Sequence, residues 1–326
     1  MPNISLDPLE RRMLHALQID GRVPFSRLAK ILGVSDQTIA RRYRKLQSDA
    51  TMRVVARLNP RPLGQTEWFV RLQSTPDIAE RVAVSLARRA DASWVSLASG
   101  GTEVVCVVRA QGEEAEQQTL LQKLANTPRV VSVTAHSILH TYVGGPVFWP
   151  GKASGLGEHQ VAQLVSGLPP AVETERVKLS DGDLVMIAAL SDDGRMSVQQ
   201  LAAATGWAEN TVRRRLEFLC GSGVLFFDID IDFHLLGFNA LALLWLSVRP
   251  QSFVPVAKEV AGHPEISFAA ATTGSTNLLA SAICQDSTHL FEYLTERIGA
   301  MDGIRQIETA PITRIIKRAI TISPRS

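Results

Sequence analysis

Gln37, Thr38, Arg41, Arg42, Arg44 and Lys45 crowd one short stretch with side chains suited to duplex DNA. Arg and Gln read base edges in a major groove, and Lys neutralises phosphate. That chemistry needs an exposed helical face. Gly33 closes one helix, Ser35 is placed to cap the next, and Ile39, Tyr43 and Leu46 recur at i, i+4, i+7 as its inward stripe. Residues 33–46 therefore predict a helix-turn-helix. Gln37, Thr38, Arg41 and Arg42 are its base-edge candidates, with Ser35, Arg44 and Lys45 towards phosphate. A basic, solvated helix in a plain packing unit would show the same pattern.

Repetition separates the two readings. Asp20-Gly21-Arg22 recurs as Asp193-Gly194-Arg195, an offset of 173. At that offset Leu28-Ala29 meets Leu201-Ala202, Gly33 meets Gly206, Thr38 meets Thr211, Arg41-Arg42 meets Arg214-Arg215, and Leu46 meets Leu219. So long a period marks a duplicated module rather than a solenoid unit, whose period is about 20–50 residues. Asn210, Thr211, Arg214 and Arg215 are the second copy's weaker candidates.

The 326 residues are 45% hydrophobic and 20% charged, with a net charge of +2, ordinary for a soluble protein of two or more domains. No stretch approaches the roughly 20 apolar residues of a membrane span, and the first residues lack a basic and apolar leader pattern. A cytoplasmic protein without a membrane partner is expected. Cys106, Cys220 and Cys284 are isolated, which argues against a disulfide framework or thiolate metal site. The seven histidines form no metal set, since His136 and His140 fall on a predicted strand and its exit rather than a helix face. Phosphate-loop and nucleophile-elbow motifs are absent. Neither cofactor, metal nor enzymatic activity is expected.

Periodicity supplies the supporting elements. Helices are predicted over 6–17 and 25–32, and Met52 to Leu58 reads as the strand of a wing. From Thr66 the pattern is β-α-β-β-α-β, with strands at 68–72, 94–98, 104–108 and 130–139 and helices at 77–89 and 113–126. This is a ferredoxin-like unit whose second sheet face, rich in apolar residues, needs a partner sheet. The Gly/Pro-rich segment 144–178, carrying a short helix at 158–165, reads as a linker. A second winged module spans 179–237 and a second βαββαβ unit 238–326, mirroring 1–62 and 63–143. The fold class is α+β, two winged helix-turn-helix domains alternating with two ferredoxin-like domains.

Asp20-Gly21-Arg22, Leu28-Ala29, Gly33-Val34-Ser35, Thr38-Ile39 and residues 41–46, followed by a βαββαβ domain with a Gly100-Gly101 hairpin, resemble the Lrp/AsnC family of transcription regulators. Ordinary members carry one copy, and this chain looks like a tandem fusion. The resemblance implies a DNA-binding regulator whose βαββαβ domains pair through their sheets, sense an amino acid or related metabolite, and assemble into homo-oligomers. It implies an effector site at Ser99, Gly100, Gly101, Thr102 and Glu103, and at Thr273, Gly274, Ser275, Thr276 and Asn277. Siroheme decarboxylases share the fold and are the enzymatic alternative. Their His-Asn-Tyr-type motif is missing here, where Asn59-Pro60-Arg61-Pro62 and Phe233-His234-Leu235-Leu236 stand.

Two departures set the copies apart. Where the family's hairpin carries an Asp, Glu103 can still meet a ligand ammonium, whereas Asn277 offers a neutral amide. Residues 1–60 hold eleven Lys and Arg against five Asp and Glu, a net +6, while residues 179–238 hold four against nine, a net −5. Phosphate neutralisation dominates non-specific DNA affinity, so the first module is expected to lead. Asp228, Asp230 and Asp232 of the second wing would then sit near phosphate and repel it. Ala208 replaces the capping Ser35 at a cost of about 1 kcal/mol.

Overall fold

The computed structural model describes residues 6–48, 52–110, 128–145, 149, 155–170, 172 and 176–318. In chain order the first copy forms α1 (Pro8–Ile19), α2 (Phe25–Leu32), α3 (Asp36–Ser48), β1 (Met52–Leu58), β2 (Thr66–Ser74), α4 (Pro76–Ala87), β3 (Ala92–Ala98), β4 (Glu103–Ala110) and β5 (Val130–Val143). After α5 (Glu158–Val165) the second copy forms α6 (Asp181–Asp192), α7 (Val198–Thr205), α8 (Glu209–Gly221), β6 (Leu225–Ile231), β7 (Ala240–Val248), α9 (Phe253–Gly262), β8 (Ile266–Thr272), β9 (Leu278–Cys284), α10 (Ser287–Glu292) and β10 (Ile304–Lys317). The helix expected over 113–126 lies outside the described residues. Two compact units result, Met1–Gly64 with Lys152–Gly237, and Gln65–Gly151 with Phe238–Ser326. Like is gathered with like.

In the first unit, each helical module starts from a reciprocal cap. Asp7 accepts from the Glu10 backbone while Glu10 accepts from the Asp7 backbone, and Ser180 and Asp183 repeat the arrangement on α6. Gly33 and Gly206 end α2 and α7 at φ +71°, a left-handed cap that glycine adopts without a Cβ penalty. Met13, Leu17, Leu28, Ile39 and Leu46 fill the first module's interior; Met186, Leu190, Leu201, Val212 and Leu219 fill the second's. Helix α5 is part of this unit: Leu164 is fully buried, and Gln160 donates to the Ile31 carbonyl at 2.7 Å near the end of α2.

The strand after each recognition helix forms as expected, yet neither is one arm of a hairpin wing. β1 and β6 pair with each other, antiparallel, from Met52 opposite Ile231 to Leu58 opposite Leu225. This corrects the reading of the acidic second wing. Asp228 lies 2.7 Å from Arg57 and Asp230 3.5 Å from Arg53, so these two aspartates are matched to first-module cations. Asp232 caps the turn that follows by accepting from the His234 backbone.

The repeated Asp-Gly-Arg explains itself at this contact. Asp20 and Asp193 each accept, at 2.9 Å, from the backbone N–H two residues on, closing a turn. A Cβ on Gly21 would stand 2.7 Å from Phe227 Cβ, and one on Gly194 2.8 Å from the Val54 carbonyl, so only glycine admits the opposing strands. Each Arg then crosses to the other module. Arg22 donates to the Gly194 and Met196 carbonyls at 2.5 and 2.9 Å; Arg195 donates to those of Gly21 and Val23 at 2.6 and 2.8 Å. Arg195 also stacks on Phe25, 4.4 Å from the ring centre. Burial depresses both guanidinium pKa values from their ordinary position.

In the second unit the eight strands close into one barrel in the order β10-β3-β4-β2-β5-β8-β9-β7. Each half keeps its four-stranded sheet, and the joins are β5 with β8 and β10 with β3. The partner sheet required by the apolar faces is thus the chain's own second copy. Alternate residues of the strands divide between two environments. Val70, Leu72, Val104 and Cys106 pack with α4, while Phe69, Val105, Val107, Leu243, Trp245 and Leu279 form a separate cluster on the alternate face. With this second cluster lies one ion-pair network. Arg71 meets Glu103, which is 2% exposed, and Glu308 from the other half, and its guanidinium sits 5.2 Å from the Trp245 ring centre.

Two stability measurements test these joints. Replacing Arg22 or Arg195 by Ala orphans buried carbonyls, and should lower the unfolding free energy of the full chain by about 2–4 kcal/mol in urea titrations. Arg71→Met strands the Glu103 charge and should cost about 3–5 kcal/mol, with Glu103→Gln restoring most of it in the double variant. Equal losses in single and double variants would refute the pairing.

Candidate nucleic-acid interface

The recognition helices are α3 and α8, and their caps differ as the sequence suggests. Ser35 Oγ accepts from the Thr38 backbone at 3.2 Å and lies 2.8 Å from Thr38 Oγ1, whereas Ala208 supplies no side-chain cap to α8. Ser35 and Thr38 are therefore partly occupied with each other. Trp207, beside Ala208, closes over Gly182, where a Cβ would stand 2.0 Å from its ring. The equivalent pair in the first module is Val34 and Leu9, so bulk removed from one position returns at the other.

Arg42 and Arg215 depart from the sequence reading. Arg42 pairs with Asp7 and, at 3.2 Å, with Glu10; Arg215 takes both oxygens of Asp183 at 2.6 and 2.8 Å. Glu10 and Asp183 are 6% and 0% exposed. These arginines clamp the recognition helix to the capping box of the first helix, and they are not free to read bases. Burial alone would raise the Asp183 carboxyl, but hydrogen bonds from Arg215 and Ser180 outweigh it and hold the group below its usual range. The acidic third residue of each box recurs with its arginine at the same offset of 173, but Arg41 and Arg214 recur at that offset too, so the repeat does not single the paired arginines out.

What remains exposed is Gln37, Arg41, Arg44 and Lys45 on α3, and Asn210, Arg213 and Arg214 on α8, with Thr211 half-buried. The Arg44 Nε–H is turned back to the Ala40 carbonyl at 3.2 Å, leaving its terminal nitrogens for a partner. Arg213 joins the candidate set. At α8 the position of Arg44 is taken by the exposed Glu217. The first face is cationic and the second mixed.

The two candidate hairpins are equally unequal. Ser99, Gly100 and Gly101 all take left-handed φ values, +52°, +69° and +85°, and Thr102 Oγ1 donates to the Ser99 carbonyl at 2.8 Å. Glu103 accepts from Arg71 and from Ser99 Oγ at 2.9 Å. That corrects the expectation of a carboxylate waiting for an ammonium, since a buried carboxylate needs its internal cation. Asn277 spans the end of β7, accepting from the Val248 N–H at 2.8 Å and donating to its carbonyl at 2.9 Å. Its amide is spent on backbone. Thr273 bonds the first half through Ser137 and through its carbonyl, 2.7 Å from His136 Nδ1, while Gly274 lies flat against that imidazole. Ser275 is exposed, and the Thr276 carbonyl accepts from Thr272 Oγ1 at 3.2 Å. His136 was missed as a partner of this hairpin because the contact joins different copies. No group of His, Cys, Asp and Glu able to hold a metal occurs among the described residues, and no described helix is long and apolar enough to cross a membrane.

Comparison with known proteins agrees with this division. An AsnC-type helix-turn-helix domain model matches residues 6–47 and again 179–219, and an Lrp/AsnC ligand binding domain model matches 241–322. The HTH-type transcriptional regulator FL11 of Pyrococcus horikoshii is 30% identical over 143 residues, covering 44% of this chain and 94% of that protein. An uncharacterized HTH-type transcriptional regulator of Pyrococcus abyssi is 28% identical over 145 residues, 44% of this chain and 92% of its own length. One copy accounts for a whole relative. A crystal structure of the siroheme decarboxylase NirDL superposes over 96% of this chain and 93% of its own, with a TM-score of 0.64 and 15% identity. At that identity the likeness is one of fold.

Arg215→Ala should cost about 3 kcal/mol of stability, because it leaves Asp183 buried without its cation. The Asp183 contribution has a sign fixed by its depressed pKa: present above the unfolded carboxylate value of about 4, lost as pH falls through the folded value. The stability gap between the wild type and Asp183→Asn should therefore close on acidification below about pH 4, read from urea midpoints across pH.

Proposed function

This chain belongs to the Lrp/AsnC family, and from that premise we propose that it is a sequence-specific DNA-binding transcriptional regulator responsive to a small-molecule effector. The observation that carries the reading is the exposed face of α3. Arg42 is consumed by the fold, yet Gln37, Arg41, Arg44 and Lys45 stay at the surface of a helix whose other face is buried through Ile39, Tyr43 and Leu46. The relatives named as HTH-type transcriptional regulators support the same reading.

The barrel unit is the effector-sensing part, with an amino acid or related metabolite as the ligand class. Its hairpins at 99–103 and 273–277 are the proposed sites, and the internal bonds of Glu103 and Asn277 make the two unequal. The protein works in the cytoplasm, as a homo-oligomer of chains that are already internally paired, and by binding rather than catalysis. Its architecture is shared with a siroheme decarboxylase, so the deciding experiment must be able to fail on DNA.

That experiment is binding of the full chain to sheared genomic DNA over a salt series, with metabolite additions that include the twenty amino acids. Saturable binding to a subset of fragments, altered by one addition, is the expected result. Each phosphate contact contributes about 0.9 to the slope of log affinity against log salt, so removing Arg44 and Lys45 together should flatten it by about 2. Arg41→Ala should weaken specific binding by about 1–3 kcal/mol with unchanged thermal stability. Absence of binding at low salt would overturn the regulator reading in favour of the enzyme.

A further inference from the structure

We infer that one chain reads an asymmetric DNA site of two unlike half-sites, because its two helix-turn-helix modules are built to pair with each other and not with their own kind. The inference rests on the DNA-binding reading above and specifies the duplex it requires.

The evidence lies in the β1–β6 register. Arg53 stands opposite Asp230, Arg57 opposite Phe226, and Val55 opposite Asp228. Val55 and Asp228 are equivalent residues at the repeat offset of 173, so the pseudo-two-fold passes between them. Both arginines find complementary groups across it: Arg53 has Asp230, and Arg57 has Asp228 at 2.7 Å and the Phe226 ring at 5.4 Å. If two β1 strands paired in this register, Arg53 would face Arg57 twice. If two β6 strands did so, Asp228 would face itself on the axis. Like charges directly opposed across antiparallel strands are destabilising, and opposite charges are favourable. The barrel repeats the rule. Arg71 and Trp245, equivalent at offset 174, stack on one another, where a pairing of two first halves would bring arginine against arginine.

Unlike pairing presents unlike readers. At equivalent positions α3 and α8 expose Gln37 and Asn210, Arg41 and Arg214, Arg44 and Glu217, while Arg213 takes the place of Ala40. Counting exposed charges, α3 carries Arg41, Arg44 and Lys45 against Asp36, and α8 carries Arg213 and Arg214 against Glu209 and Glu217. The first face is held by phosphate as well as bases. The second gains little from phosphate and must act through base edges, where arginine prefers guanine and glutamate accepts from the cytosine amino group. A module that binds weakly and selects strongly, tied to one that binds strongly, gives a site whose halves are not interchangeable.

The test is selection by the full wild-type chain from randomised duplexes of about 25 base pairs, enough for two half-sites one helical turn apart. The expected product is a site without inverted symmetry, and affinity at least tenfold weaker on either symmetrised version of it. Asn210→Gln, Arg213→Ala and Glu217→Arg together give α8 the residues of α3 at the positions of Gln37, Ala40 and Arg44, beside the shared arginine at 41 and 214, and all three positions are solvent-facing, so folding is untouched. This variant should move its preference to the symmetrised site built from the first half. A wild-type product that is an inverted repeat, or equal affinity for both symmetrised sites, would overturn the inference while leaving a DNA-binding regulator. No enriched sequence at all would remove the regulator reading and this inference with it.

Discussion

Two half-buried guanidinium groups, crossing in opposite directions, hold the helical unit together. Arg22 and Arg195 each cap two backbone carbonyls of the other module at the turn where the other's own arginine starts. Neither has an adjacent carboxylate as its direct partner, and burial weighs against both charges. The arrangement persists because a carbonyl left unpaired at a packed helix-to-helix turn is costly, and a planar guanidinium satisfies two at once. Glycine before each arginine lets the strands close, and aspartate before each glycine sets the turn. Three residues thus encode one interface.

From this joint follows the use of the remaining charge. From the second module's apparent acidity Asp228 and Asp230 drop out, because they meet Arg53 and Arg57 across the β1–β6 ribbon, and Asp183 holds Arg215. Two charges of the first module's excess of +6 are likewise internal, those of the ribbon arginines Arg53 and Arg57, while Arg42 is matched within its own module. Net charge by segment therefore overstated the contrast between the modules as DNA faces. On the two recognition helices the contrast is sharpest at Arg44 against Glu217.

Duplication within one chain removed the demand that both halves be identical. Where a two-fold axis in a homodimer would set a residue against itself, here Val55 meets Asp228 and Arg71 meets Trp245. The closed barrel shows the same freedom: Glu308 of the second half joins Arg71 and Glu103 of the first, and Thr273 of the second half meets His136 of the first. The two hairpins, equivalent in their place in the repeat, consequently sit in different surroundings. A single repeated fold has acquired two different hairpin environments.

The helix-turn-helix units, the βαββαβ order and the repeat offset were legible in the residues themselves, because caps, glycine stops and apolar periodicity act over three or four residues. Exposure of Arg41, Arg44 and Lys45 was legible for the same reason, following from Ile39, Tyr43 and Leu46 pointing the other way. Tertiary structure alone decided what the long-range charges do. Arg42 is separated from Glu10 by 32 residues and Arg57 from Asp228 by 171, and no local pattern distinguishes an arginine that will face DNA from one that will close an ion pair. It also decided that each strand after a recognition helix pairs with its counterpart rather than with a neighbour. Local propensity specifies that a strand forms; which edge satisfies its hydrogen bonds depends on where the rest of the chain brings a second strand.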